Sequence, residues 1–151
     1  VYKLVAIDGE GGWRPAIKLS DTPAQVVNPG RKEVHRIYDA RGFATADVVA
    51  QAGEQLVPPL RLFHPTEPGV ERRLSETSIS DSEPLLEKVD PWTPVDEREA
   101  IEAARQRRAA DLERLDPGVR RLVNPHVYHI SLSQASHELK QTIIEEMQTD
   151  M

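Results

Sequence analysis

The sequence contains no cysteine, which excludes a disulfide framework and any thiolate metal site, and places no demand on an oxidising compartment. Aromatic residues are scarce at 5% of 151, so any core must be built from small and branched aliphatics. Hydrophobic residues reach only 38%, and charged ones 29%, so that core is thin and part of the apolar surface is expected to need a partner. No apolar run approaches the roughly 20 residues that span a bilayer, and no signal-peptide pattern opens the chain. A cytoplasmic setting without membrane partners is the expectation. Basic residues are outnumbered, giving a formal charge of -6, which argues against nucleic acid as a general partner. Proline, by contrast, is plentiful at twelve residues, so elements are short and often interrupted.

The punctuation divides the chain into three stretches. Residues 1–63 read as β-rich. Val1 to Ile7 forms a strand, the Gly-rich Asp8-Gly9-Glu10-Gly11-Gly12 turns it, and Ala16 to Ser20 returns. After the Asn28-Pro29-Gly30 turn come strands at Glu33 to Tyr38, Ala44 to Ala50 and Leu60 to Phe63, with Pro58-Pro59 making the connection irregular. These short strands predict an antiparallel sheet. Residues 64–82, rich in Pro, Glu, Ser and Thr, read as a linker or surface loop.

Residues 83–151 read as a helical segment with one short strand at 127–130. Ser82 or Glu83 caps a short helix with Pro84 in its first turn, turning Leu85, Leu86 and Val89 inward before Pro91 and Pro94. Asp96 opens a longer helix with a narrow apolar face (Ile101, Ala104, Leu112, Leu115), expected to be peripheral and stopped by Asp116-Pro117-Gly118. A last helix begins after Ser131 or Ser133, with a stripe of Leu132, Ala135 or Ser136, Leu139, Ile143 and Met147. The fold class is therefore α+β, antiparallel strands followed by helices.

Few residues carry a chemical signal. The turn Asn28-Pro29-Gly30-Arg31-Lys32, with Lys18 on the preceding strand, combines close backbone approach with a guanidinium fork and two ammonium groups, which is what a phosphate asks for. A solvated turn is the plainer reading of the same residues. His126 and His129 lie three apart on an expected strand and so point to opposite faces, without a carboxylate to complete a metal site. Gly9-Glu10-Gly11-Gly12 leads into a strand rather than a helix, which rules against a dinucleotide loop. No catalytic residue and no metal ligand is assigned.

Taken in order, Val1-Tyr2-Lys3-Leu4-Val5, Lys18-Leu19-Ser20 and Pro29-Gly30-Arg31-Lys32-Glu33-Val34-His35-Arg36 resemble the region after the barrel in nicotinate phosphoribosyltransferases. The far end agrees: Asn124-Pro125-His126-Val127-Tyr128, Ser131-Leu132-Ser133 and Leu139-Lys140 resemble that family's closing segment, with Glu83-Pro84-Leu85-Leu86 placed between. The resemblance implies a C-terminal fragment of a larger enzyme containing an α/β barrel, which agrees with a chain that opens inside a strand without an initiator Met. It implies coupling of nicotinate to phosphoribosyl pyrophosphate, driven by ATP with Mg²⁺ present, to give nicotinate mononucleotide for NAD salvage. Catalytic residues would precede this segment. Its partners would be the N-terminal and barrel portion of the same enzyme, in a homodimer, and this segment alone would bind no cofactor and be inactive. Lys18, Arg31 and Lys32 would then be candidate phosphate contacts, although the threonine and lysine that family members often carry before this turn are replaced by Ala24-Gln25-Val26-Val27-Asn28. A stand-alone protein-interaction domain is the alternative.

Overall fold

The structure, a computed structural model, describes residues 2–88, 92 and 96–149. Among these residues, eight strands and two α-helices run in the order β1 (Ala6–Ile7), β2 (Arg14–Pro15), β3 (Lys32–Tyr38), β4 (Ala44–Gln51), β5 (Leu60–Phe63), β6 (Glu71–Leu74), β7 (Asp81–Pro84), α1 (Glu97–Glu113), β8 (His129–Leu132) and α2 (Gln134–Thr149). The α+β class holds. β1 and β2 form a small hairpin, and the other six strands make one sheet in the order β6-β5-β8-β4-β3-β7.

Alternation in β4 explains the sheet. Ala44, Ala46, Val48 and Ala50 are buried, while Thr45, Asp47, Val49 and Gln51 between them are half-buried, so both faces are covered and one is packed tightly. The register sets Ile37 beside Ala46 and His35 beside Val48 on the tight face. There Ile37, Val48, Leu60, Leu62 and Leu74 form the core, with Leu56 and Ile79 packed against it. Burying an aliphatic side chain of this size contributes about 1.5–3 kcal/mol. The opposite face sets Arg36 beside Asp47 and Val34 beside Val49, and α2 lies against its far end.

Five expectations need correction. The sheet is mixed, because β8 runs parallel to β4, pairing Ala46 with His129 and Val49 with Leu132. Residues 64–82 are no plain linker: they carry β6, paired along β5, a single 3-10 turn at Glu76–Ser78, and the start of β7. The short helix at Ser82 or Glu83 is instead β7, since the free edge of β3 offers backbone partners that a proline-led helix of one or two turns cannot match. Val89, Pro91 and Pro94 lie outside the described residues, as does Val1. The hairpin's return strand falls at Arg14–Pro15 rather than Ala16 to Ser20, with Ala16 N–H still bonding Val5 O at 2.9 Å. The strand read at 127–130 is His129–Leu132, leaving Val127 76% exposed.

Both long helices start where expected. Asp96 caps α1 by accepting from Glu99 N–H at 3.0 Å, and Gly118 N–H bonds Asp116 Oδ1 at 2.7 Å just beyond its end. Ser133 caps α2 by accepting from Ser136 N–H at 3.1 Å. The expected stripe of α2 is met in part: Ser136 is buried and Leu139 and Ile143 are half-buried, whereas Met147 is exposed and Lys140, outside the expected stripe, is buried. Among the described residues no helix is long and apolar enough to cross a membrane.

Candidate functional site

The basic turn is built from inside. Gly30 adopts φ +86°, which favours glycine, and a Cβ placed there would come 2.2 Å from Gln51 Oε1, so the Gln51 side chain would have to move. Gly30 N–H bonds Val5 O at 2.7 Å, pinning the turn to the N-terminal segment, and Pro29 is fully buried. Lys32 donates to Asn28 O at 2.7 Å and Gly30 O at 2.6 Å, and burial pulls its pKa below the ordinary lysine value. Its ammonium is thus engaged with the turn it follows. Arg31 is exposed, its guanidinium 5.1 Å from the Trp13 ring centroid, a cation–π distance. Lys18 is exposed as well. Of the three candidate phosphate contacts, two therefore present their cations to solvent and one is occupied by backbone carbonyls.

On the other side of Asn28 lies a cleft of about 940 Å³, between residues 19–26, the β5–β6 connection and α2. Lys140 and His137 line it from α2, His64 and Thr66 from the connection, and Asp21 from the N-terminal segment. Lys140 is only 7% exposed and donates to Asn28 Oδ1 at 3.1 Å and Pro65 O at 3.0 Å; burial lowers its pKa. The His137 ring stacks on Phe63 with centroids 4.0 Å apart, and burial followed by the nearby Lys140 charge lowers its pKa, so the ring is neutral near pH 7. His64 Nδ1 accepts from Glu67 N–H at 3.0 Å, which leaves the ring proton on Nε2. Sequence reading missed Lys140 because a lysine in a helix is ordinarily solvated. Its spacing of four from Ser136, beside the apolar stripe, was the available signal.

A third cluster ties the sheet to the segment around α1. Arg36 forks onto Asp47 at 2.9 and 3.1 Å, and Tyr128 O–H donates to Asp47 Oδ1 at 2.8 Å. Arg114 forks onto Glu83 at 2.6 and 3.1 Å while its guanidinium lies 4.1 Å from the Tyr38 ring centroid. The Tyr38 hydroxyl and then Arg114 hold the Glu83 carboxyl below its ordinary range. Burial and the neighbouring carboxylates push Tyr38 and Tyr128 up, so both stay protonated donors. Every member is committed to another, which describes a structural brace. Among the described residues no group of three or more His, Cys, Asp or Glu side chains could hold a metal ion, and His126 and His129 are not part of one.

The profile of the nicotinate phosphoribosyltransferase C-terminal domain family matches residues 31–140, from the basic turn to the buried lysine of the cleft. The chain belongs to that family. A nicotinate phosphoribosyltransferase of Bacillus subtilis (strain 168) is 29% identical over 161 aligned positions, covering 99% of this chain and 32% of its own length. The Bos taurus nicotinate phosphoribosyltransferase is 29% identical over 143 positions, covering 89% of this chain and 24% of its own length. This member of the family thus spans a quarter to a third of those relatives. The crystal structure of human nicotinic acid phosphoribosyltransferase superposes with a TM-score of 0.59 over 95% of this chain and 26% of that one, and at 22% identity it speaks to fold alone. The order of residues that suggested the family in the sequence agrees with this assignment.

Proposed function

We propose that this chain is the C-terminal part of a nicotinate phosphoribosyltransferase, an enzyme coupling nicotinate to phosphoribosyl pyrophosphate to give nicotinate mononucleotide in NAD salvage. The observation that carries the reading is the family match from Arg31 to Lys140, extended by a relative of that name aligned over 99% of the chain. In the complete enzyme the reaction is ATP-driven and uses Mg²⁺, the cell compartment is the cytoplasm, and the partner is the preceding barrel portion within a homodimer. The residues described here do not fit Mg²⁺, since no set of carboxylate and imidazole side chains converges among them. A metal ion would therefore be held by the rest of the enzyme.

The contribution of this chain is positional and electrostatic. Displacement at the ribose carbon leaves negative charge on the departing pyrophosphate, and cations fixed close to it stabilise that charge more in the transition state than in water. Arg31 and Lys18 are the groups with solvent-facing charge for this task. Lys32 acts one step back, holding the carbonyls of Asn28 and Gly30 so that the turn keeps its shape. In the full-length protein, Arg31→Ala and Lys18→Ala are each expected to raise KM for phosphoribosyl pyrophosphate roughly tenfold, the effect of losing one charge-assisted contact. The steady-state assay follows nicotinate mononucleotide with ATP and Mg²⁺ present. Unchanged KM and kcat remove the phosphate role, and absence of product from the unsubstituted protein removes the enzyme reading.

A further inference from the structure

The cleft beside α2 contains a cation that the fold does not neutralise. Lys140 is 93% buried, yet its two acceptors, Asn28 Oδ1 and Pro65 O, are neutral oxygens, and burial alone accounts for its shifted pKa, with no carboxylate acting on it. An ammonium has three donors, so one N–H is left over in a residue that lines the cleft. Burying a charge without a counter-ion costs several kcal/mol, and a Met or Leu at the same position of α2 would fill the space without that cost. Stability alone therefore does not account for a lysine here. One helical turn away His137 also lines the cleft, and its stacked ring makes no hydrogen bond among the described residues. Asp21 is the one carboxylate in the lining, while Ser20, Thr66 and Gln141 add neutral polar groups. The volume of about 940 Å³ lies within the range of small-molecule pockets, roughly 300–1,000 Å³.

We propose that this cleft binds a small molecule bearing an oxyanion, carboxylate or phosphate, whose charged end takes the third donor of Lys140 with the His137 ring N–H beside it. Leu19, Val26 and Ile144 offer apolar wall for an organic body attached to that anion. The site is separate from the Arg31 and Lys18 contacts proposed above and does not rest on them. Asn28 joins the two places, since its carbonyl accepts from Lys32 and its side-chain oxygen from Lys140.

Acylation of lysines in the intact protein, read by mass spectrometry of the Lys140 peptide, tests this directly. Protection scales as one plus the ratio of ligand concentration to Kd, so an anion at about five times its Kd slows labelling of Lys140 about sixfold. The probes are inorganic phosphate and benzoate, with chloride at matched ionic strength as the control and the exposed Lys88 as the internal reference. Protection by phosphate identifies a phosphate site, and protection by benzoate alone identifies an organic carboxylate. Unchanged Lys140 labelling at saturating concentrations of both overturns the proposal. Calorimetry on Lys140→Gln and Lys140→Arg variants, with melting curves to confirm folding, gives a second reading: the binding heat is lost in the first and retained in the second. Equal heats in Lys140→Gln and the unsubstituted protein also overturn it.

Discussion

The two long helices of this chain are built on opposite terms. α2 is anchored by polar groups buried against the sheet: Ser133 caps it and donates to Glu54 at 2.7 Å, and Ser136 accepts from Gln51 at 3.1 Å. α1 has exposed residues along its described length, including Ile101 at 56%, and is tied down chiefly near its end, where Asp111 approaches Arg36 and Arg114 forks onto Glu83. α2 therefore shares in the global stability of the fold, whereas α1 relies on its own propensity, its cap and one charged brace. α2 also carries the stronger apolar stripe, with Leu139, Ile143 and Ile144 half-buried, although its fully buried residues are a serine and a lysine.

Substitutions can break or sharpen this contrast. The largest effect is expected on the α2 side at Gly30, where Ala would strain the positive φ and meet Gln51, the residue that bonds Ser136; Gly30→Ala should lower unfolding free energy by about 2–4 kcal/mol in denaturant titrations. The two caps make the cleanest pair. Ser133→Ala should cost about 1–2 kcal/mol and move the global midpoint, whereas Asp96→Ala should cost about 1 kcal/mol locally and appear only as faster hydrogen exchange in α1. A shift of the global midpoint by Asp96→Ala equal to that of Ser133→Ala would abolish the distinction.

The smallest effect is electrostatic and belongs to the α1 side. Glu83 has a folded pKa below its ordinary value of 4.5, so its pairing stabilises the protein fully above that value and fades as pH falls through the folded value. Glu83→Gln should flatten the acid limb of the stability curve between about pH 5 and 3, and leave it nearly parallel above pH 6. An identical acid limb in both proteins would show that the Tyr38–Glu83–Arg114 brace contributes nothing to holding the end of α1.

Much of this arrangement was legible in the sequence where local pattern and tertiary packing agree. β3, β4 and β5 were readable because apolar and polar residues alternate over most of a strand's length, and β5 falls where it was expected, at Leu60–Phe63. The caps Asp96 and Ser133 were readable because they are chosen by the helix itself. β7 was misread because Ser82-Glu83-Pro84 carries the local signature of a helix start, and only the waiting edge of β3, more than forty residues earlier, decides otherwise. The candidate site was less visible. The basic turn stood out by charge, but that Lys32 would be consumed by Asn28 and Gly30 depends on the turn's exact shape. The cleft went unread because burial of Lys140 is a property of three segments together, none of which signals it alone.

The place of β8 carries a consequence for how the chain assembles. Among the described residues it is the strand that joins the β5–β6 hairpin to the β4-β3-β7 half, and it is drawn from the last quarter of the sequence. Until residues 129–132 have emerged from the ribosome, the earlier strands can exist only as two separate ribbons with open edges. Closure across a gap of about 80 residues, from Gln51 to His129, adds a long-range pairing to a sheet that otherwise contains the local hairpins β3–β4 and β5–β6. A chain ending before β8 would thus lose its middle, not its edge.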